Sequence, residues 1–417
     1  MYHRFCVFVA IAAAISLILL IGLYQSPWRV NKNIHLNDYL SALRQHNEST
    51  GSNTTTEEDP SSHDDTSEAT DPGTTLVVAT LAADNNDWIS NELADILGNA
   101  TNLYTAIYVV DDPLAPLHTP KNKGHEALVY LQYIIDFYST LPPISLFLHG
   151  HPSAWHNNHL LNMSTSLMNR HLNREKVLRE GYVNLRCHWS PGCPDHLHPQ
   201  ATEFDSTKTE ELHIAATWSQ LFPSDPLPEV LSQPCCSQFA VSATAIRRHP
   251  LEKYVLFRDW ILETPLSDYI TGRIFEYFWQ YIFLSEAVYC PDPRICYCDG
   301  YGVCFEEPGG YKEYFELVAE LDKFKKELDA WENFRQGKLI GNRAVRDGDE
   351  GPDPVVEGGE SREGWLRGKI RGIEGELEKR REEAFEVGRD PVRRARAIER
   401  AGNLTMEDPK DGPPFWR

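Results

Sequence analysis

The chain has 417 residues, enough for one large domain or two smaller ones with a sizeable core. Its 61 acidic residues against 40 basic ones leave a formal net charge of -21. Phosphate-backbone binding needs concentrated lysine and arginine, so nucleic acid is not an expected partner.

The first element is "FCVFVAIAAAISLILLIGL", Phe5 to Leu23, an uncharged apolar run close to the roughly 20 residues that cross a bilayer as a helix. Tyr24 and Trp28 follow where aromatic rings favour the interface. A signal peptide has a shorter apolar core, about 7–15 residues. Residues 1–24 therefore read as a cytosolic tip and an uncleaved transmembrane anchor, through which the chain meets the membrane. Arg4 on one side and Arg29 with Lys32 on the other say little about orientation. Asn-x-Ser/Thr sequons at Asn47, Asn53, Asn99, Asn162 and Asn403 favour a luminal body, and so does the placing of every cysteine but Cys6 beyond the anchor. The expectation is a single-pass type II membrane glycoprotein of the Golgi or another secretory-pathway membrane.

Residues 25–74 are mostly Ser, Thr, Asp, Glu and Asn, and bury too little to offset their ordering entropy, so they read as a disordered stem. The α/β body is expected over residues 75–306. "TLVVATLA", "YTAIYVVDD" and "ISLFLHGH" read as buried strands, and "NKGHEALVYLQYIIDFYSTL" has a helical period. "CCSQFAVSATAI" is a fourth strand-like element, and "DYITGRIFEYFWQYIF" is one strongly apolar helix. This alternation predicts a mostly parallel sheet flanked by helices, of GT-A or Rossmann-like form. "CPDPRICYCDGYGVC", Cys290 to Cys304, reads as disulfide-bonded, because its spacing lacks the C-x2-C knuckle of zinc sites. Cys235 and Cys236 are expected to bond to other cysteines, such as Cys187 or Cys193. Tyr314, Leu317, Leu321, Phe324, Leu328 and Trp331 give residues 307–340 a helical seam that packs on the body. Residues 341–417 form a charged tail, with a flexible break and a solvated helix over Arg362 to Ala401.

In an open parallel sheet, ligands sit beyond the carboxyl ends of the strands. Asp84, Asp87 and Trp88 follow the first strand, Asp111 and Asp112 end the second, and His149 and His151 end the third. Side chains at i and i+2 of a strand share a face, so the two histidines can address one cation such as Mn or Zn. The alternative is one histidine on a buried carbonyl and one in solvent. "KNKGHE", with Lys121 and Lys123 at a helix start, can receive phosphate or merely be exposed. Glu276 lies in an apolar helix, where burial would suit it to act as a general base; pairing with Arg273 at i, i+3 is the competing role. Trp155 can stack on a sugar or pack as an ordinary tryptophan. P-loop, G-x-S-x-G and H-E-x-x-H motifs do not occur.

"NKGHEALVYLQYIIDFYSTLP", "FLHGHPSAWH", "PCCSQFAVSATAIRRHP", "GRIFEYFWQYIF" and "CYCDGYGVC" resemble the mainly fungal family catalogued as domain of unknown function 3431, over roughly Leu76 to Phe305. More distantly the chain is similar to glycosyltransferases of the GT-A type, which carry a tail, anchor, stem and luminal α/β body. That resemblance implies a sugar-nucleotide donor, a glycan acceptor and a divalent cation such as Mn. It places Asp87, Asp111, Asp112, Lys123 and Arg273 around the nucleotide, His149 and His151 at the metal, Trp155 against a sugar, and Glu276 as the base. The chain departs from the pattern where the family's Asp-x-Asp is replaced by His149-Gly150-His151. A non-catalytic luminal carbohydrate- or protein-binding module is the alternative function. A metal-dependent hydrolase is a third, without a visible ligand set.

Overall fold

The computed structural model describes residues 73–98, 102–307, 309–335 and 361–402. The predicted anchor, nearly all of the stem, the flexible break and the sequons at Asn47, Asn53, Asn99 and Asn403 lie outside them. No helix among the described residues is long and apolar enough to cross a membrane.

Five strands form one sheet in the order β2-β1-β3-β5-β4: β1 (Thr74–Thr80), β2 (Leu103–Val109), β3 (Ile144–His149), β4 (Tyr182–Asn184) and β5 (Phe239–Ser242). β1 runs parallel to β2 and β3, whereas β5 is antiparallel to both β3 and β4. The sheet is therefore mixed, which corrects the expectation of a mostly parallel one. An apolar run records that a strand is buried but not its direction. The three-residue β4 is too short to show any period.

Alternation along the strands divides the core. Val77, Phe147, Phe239 and Val241 face one side, and Leu76, Val78, Leu146, Leu148 and Ala240 face the other. The first face is covered by α2 (Glu126–Phe137), after the short α1 (Asp87–Glu92) at the end of β1. Phe147 packs at its centre, with ring centroids 4.6 Å from Tyr130 and 4.8 Å from Phe239. The second face is covered by α3 (Thr165–His171) and α4 (Arg174–Glu180), which bury Met168 and Val177.

Beyond these come α5 (Glu211–Leu221), α6 (Ala243–Ile246) and α7 (Leu251–Glu263). The helix predicted from Asp268 to Phe283 is in fact two, α8 (Asp268–Glu276) and α9 (Trp279–Leu284). The break at Tyr277 and Phe278 lets Phe275, Phe278, Trp279 and Phe283 all enter the core, more apolar side chains than one straight helix face can bury.

The last helices are α10 (Pro293–Tyr301), α11 (Gly310–Arg335), α12 (Arg362–Arg389) and α13 (Pro391–Gly402). Tyr314 and Phe315 of α11 enter the second core. The charged helix expected to be solvated is instead packed: α12 buries Leu366, Ile370, Leu377, Ala384 and Val387. Its polar edges pair with α11, as in Lys325–Glu374 at 2.8 Å and Arg380–Glu313 at 2.8 Å. Pro391 separates it from α13.

Disulfides join Cys187 to Cys296, Cys193 to Cys290, Cys298 to Cys304, and Cys235 to Cys236. The last corrects the expected pairing, since the adjacent cysteines bond to each other. Cys187 and Cys193 are already taken by α10 and the segment before it.

Phe147→Ala is expected to cost about 3–5 kcal/mol, because it removes the ring that joins Tyr130, Tyr133 and Phe239. Denaturant titration of the variant measures this, and a loss under about 1 kcal/mol would contradict the packing described.

Candidate functional site

The carboxyl ends of β1, β2 and β3 lie at one edge of the sheet, where Thr80 pairs with Val109 and Ala79 with His149. A cleft of about 390 Å³ opens there, lined by Thr80, Asp84, Asn122, His125, Glu126, His149, Gly150, His151 and Asp268 among others. Gly150, just after β3, lies close to the neighbouring β1: a Cβ there would stand a tight 3.1 Å from the Ala79 carbonyl oxygen. Trp88 Nε1 donates to the Gly150 carbonyl at 3.0 Å, which ties α1 to the same turn. The Leu81 N–H donates to Asp84 at 2.8 Å, and Asn86 Nδ2 to Thr80 Oγ1 at 2.9 Å.

His149 and His151 both line the cleft, as their i, i+2 spacing predicts. His151 is exposed and His149 partly buried. Burial pushes the His149 imidazole below its ordinary range, while the Glu126 charge and a bond to the Cys236 carbonyl act in the opposite sense. Its Nε2 has no hydrogen-bond partner, and neither has Nε2 of buried His156, whose ring meets His149 edge-on at 4.7 Å. Burial, aided by the charges of His149 and Arg186, pushes His156 down to about 3. This wall is therefore neutral imidazole at physiological pH.

Glu276 lies at the end of α8 and accepts from the Cys236 N–H at 2.7 Å. Burial pushes its carboxyl up to about 7, and the negative charge of Glu126 acts in the same sense. The sequence alternative of a Glu276–Arg273 pair does not form. Arg273 instead forks onto the fully buried Glu210, with contacts of 2.7 and 2.9 Å.

The remaining predicted residues are spread more widely. Asp87 is exposed at the start of α1. Asp111 accepts from the Ala82 N–H at 2.8 Å, and Asp112 from the Leu114 N–H at 2.9 Å, so both secure turns beside the cleft. The Lys123 ammonium is bound to the Leu262 and Thr264 carbonyls at the end of α7, which helix C-termini favour. Trp155 is 65% exposed, with the Arg186 guanidinium 5.4 Å from its ring.

Sequence reasoning missed His125, Glu126 and Asp268 as cleft residues. Their local signal is the His-Glu pair after the glycine in "KNKGHE". His125 stands at φ 51°, ψ −139°, backbone that a side chain seldom adopts, and this turn brings Glu126 into the wall. The strain is offset by packing, since the His125 ring lies against Gly272 of α8.

A divalent cation was expected at His149 and His151. Among the described residues, only Cys235, Cys236 and Glu276 bring three ligand atoms within 4.8 Å of one another. Both of those sulfurs are in a disulfide. Among the described residues His149 and His151 have no third ligand atom grouped with them, so the proposed chemistry is assigned to the chain's own side chains.

The buried imidazoles give stability a definite pH dependence. Burial pushes His159 and His196 down to about 4 and His156 to about 3. The unfolded chain takes up protons below about pH 6.5, whereas the folded chain does so only near these lower values. Their contribution is complete above about pH 6.5 and is lost as pH falls toward 4. Glu276 works oppositely, gaining stability as pH falls from about 7. His156→Gln should therefore lose less stability than wild type between about pH 7.5 and 5. Urea titrations at both pH values measure the difference; equal losses would show that His156 is not held neutral.

No match was found among curated proteins or among solved structures. The family described as "Protein of unknown function (DUF3431)" matches residues 76–299, a span that runs from β1 to α10 and contains the whole cleft. The chain belongs to that family.

Proposed function

We propose that the cleft binds a sugar nucleotide and that the chain transfers the sugar to an acceptor hydroxyl, as a luminal glycosyltransferase-like body on a single-pass type II anchor. The observation that carries this reading is the convergence of features that the GT-A resemblance implies in this chain order. An acidic residue, Asp84, lies at the end of β1; His149-Gly150-His151 ends β3; β5 follows; and Glu276 closes α8. Four disulfides are consistent with an oxidising lumen of the Golgi or another secretory compartment.

In the transfer, the bond from the sugar carbon to the diphosphate oxygen breaks and its electron pair leaves with the diphosphate. The acceptor oxygen forms the new bond and gives up its proton. Glu276 receives that proton, directly or through Glu126, because burial holds its carboxyl near 7. The N-terminus of α2 opens on the cleft without a side-chain cap, and its N–H groups with His125 and His151 are suited to the diphosphate. Asp84 and Asp268 supply acceptors for ribose or sugar hydroxyls. Trp155 is exposed and would offer its ring to an acceptor sugar.

The second reading is a non-catalytic carbohydrate-binding module. It is favoured by the engagement of Lys123 and Arg273 in internal contacts, which removes the two strong cations expected at the diphosphate.

Thermal unfolding of residues 73–417 with a panel of sugar nucleotides, with and without Mn²⁺, is the first test. Stabilisation by one donor is the expected result. Turnover of that donor should fall about 10²–10⁴-fold in Glu276→Gln, with binding retained. Donor binding with no turnover in wild type would select the binding module, and no stabilisation by any nucleotide would reject the sugar-nucleotide reading.

A further inference from the structure

Three carboxylates line the cleft, those of Asp84, Glu126 and Asp268, and among the described residues no lysine or arginine lines it. Lys123 and Arg273, which flank these carboxylates in sequence, are committed elsewhere. Lys123 donates to the Leu262 and Thr264 carbonyls, and Arg273 is forked onto Glu210. Glu126 and Asp268 stand in the first turns of α2 and α8, where the helix dipole favours the ionised form. These two helix starts meet. The Gly124 N–H donates to Asp268 Oδ1 at 3.4 Å, and the His125 ring lies against Gly272. Asp84 already takes the Leu81 N–H at 2.8 Å. The Glu126 carboxylate, by contrast, receives no hydrogen bond and no ion pair among the described residues. The cleft thus holds negative charge that the chain does not offset.

A second, independent feature points to a ligand. His149 lines the same cleft, and its buried Nε2 has no hydrogen-bond partner. Leaving a buried polar atom unpaired is costly. A hydroxyl both donates and accepts, so it satisfies that nitrogen in either tautomer. The carboxylates therefore call for a cation and the imidazole for a hydroxyl. An amino sugar with a free amine carries both on one ring, and a cleft of about 390 Å³ is of small-ligand size. A divalent ion is the competing cation. Among the described residues, however, no three ligand atoms of the cleft wall come within 4.8 Å of one another. An ammonium asks less, since one or two carboxylates and a hydroxyl suffice for its three donors.

We propose that the acceptor bound in this cleft is an amino sugar with a free amine, its ammonium on Glu126 and Asp268 and one hydroxyl on His149 Nε2. This names the substrate class of the proposed function and rests on that reading in taking the cleft as the acceptor's site. A carboxylate has two oxygens, so Glu126 can hold the ammonium on one and take a hydroxyl proton on the other. The bound ammonium also lowers the negative charge that a diphosphate must approach. A uronic sugar is rejected, because its carboxylate would face Glu126 and Asp268 with no arginine fork to receive it. An N-acetylated sugar lacks the charge and binds less well.

Ligand-observed NMR titration of the full-length chain, without nucleotide and at about pH 6.5, where an amine is protonated, tests this. Glucosamine, N-acetylglucosamine, glucose and cyclohexylamine are compared. Glucosamine should bind about tenfold more tightly than the two uncharged sugars, a preference that shrinks between about 50 and about 500 mM salt. Glu126→Gln should remove most of that preference, and Glu252→Gln, an exposed carboxylate at the start of α7, should leave it. The net charge of -21 draws any amine, so cyclohexylamine, a ring cation without hydroxyls, is the control and should bind about tenfold more weakly than glucosamine. His149→Phe should weaken all three sugars and leave cyclohexylamine unchanged. Equal affinity for glucosamine and glucose, or for glucosamine and cyclohexylamine, would overturn the proposal. So would a preference that survives both Glu126→Gln and Asp268→Asn, sugar binding untouched by His149→Phe, or binding of Mn²⁺ but not of glucosamine. If Glu126→Gln fails to fold, Asp268→Asn reads the same preference. Glucosamine preference without binding of any sugar nucleotide would sink the transferase reading alone, and nucleotide binding without that preference would sink the amino-sugar acceptor alone.

Discussion

The pairing of Phe147 with Phe239 determines where the rest of the cleft goes. Because β5 runs antiparallel to β3, the residues that precede Phe239 in sequence lie beyond the carboxyl end of β3. Cys236 and Gln238 therefore arrive beside His149. Had β5 been parallel, the same residues would sit at the opposite edge of the sheet, against the start of β3. The aromatic packing of Phe147 with Tyr130 and Phe239 is thus more than core filling. It fixes the register that brings a backbone peptide, an imidazole and a carboxyl into one arrangement.

This explains why part of the site was legible in the sequence and part was not. His149 and His151 line the cleft, and a strand end followed by two imidazoles is a pattern that sequence shows locally. The partners of Lys123 and Arg273, the α7 carbonyls and Glu210, are distant in sequence and leave no local pattern. Nothing in "KNKGHE" records that the end of another helix will be waiting for the lysine. The same applies to the fold. Strands β1, β2, β3 and β5 show in their apolar runs, but strand direction is a property of the connection. The passage from β3 to β5 contains α3, α4, β4 and α5 and carries no periodic statement of where it returns. The charged C-terminal helix was misread for a related reason, since its few apolar residues suffice only because α11 offers a matching face.

Behind the cleft lies an unusual concentration of neutral imidazole. His156 and His188 are buried, and Arg186, itself almost wholly buried, gives its guanidinium protons to the His156 and Ser190 carbonyls. Burial is the largest cause of the low pKa of these rings, and the fixed Arg186 charge adds to it. One buried cation can be tolerated when carbonyls satisfy it; a second beside it is repelled. Arg186 thereby adds to the burial that keeps its histidine neighbours uncharged.

The front of the cleft has the opposite problem. Asp84, Glu126 and Asp268 all line it, which sets carboxylates where an anionic donor would have to approach. The lining histidines are His125, His149 and His151, and burial disfavours a charge on His149. In the proposed reading the N–H groups at the start of α2 would therefore supply much of the attraction for a diphosphate. A neutral sugar meets no such difficulty, since carboxylates are good acceptors for its hydroxyls. Glu276 is not one of the residues lining the cleft; it is coupled electrostatically to Glu126, which is, so in the proposed transfer the proton would reach it through Glu126.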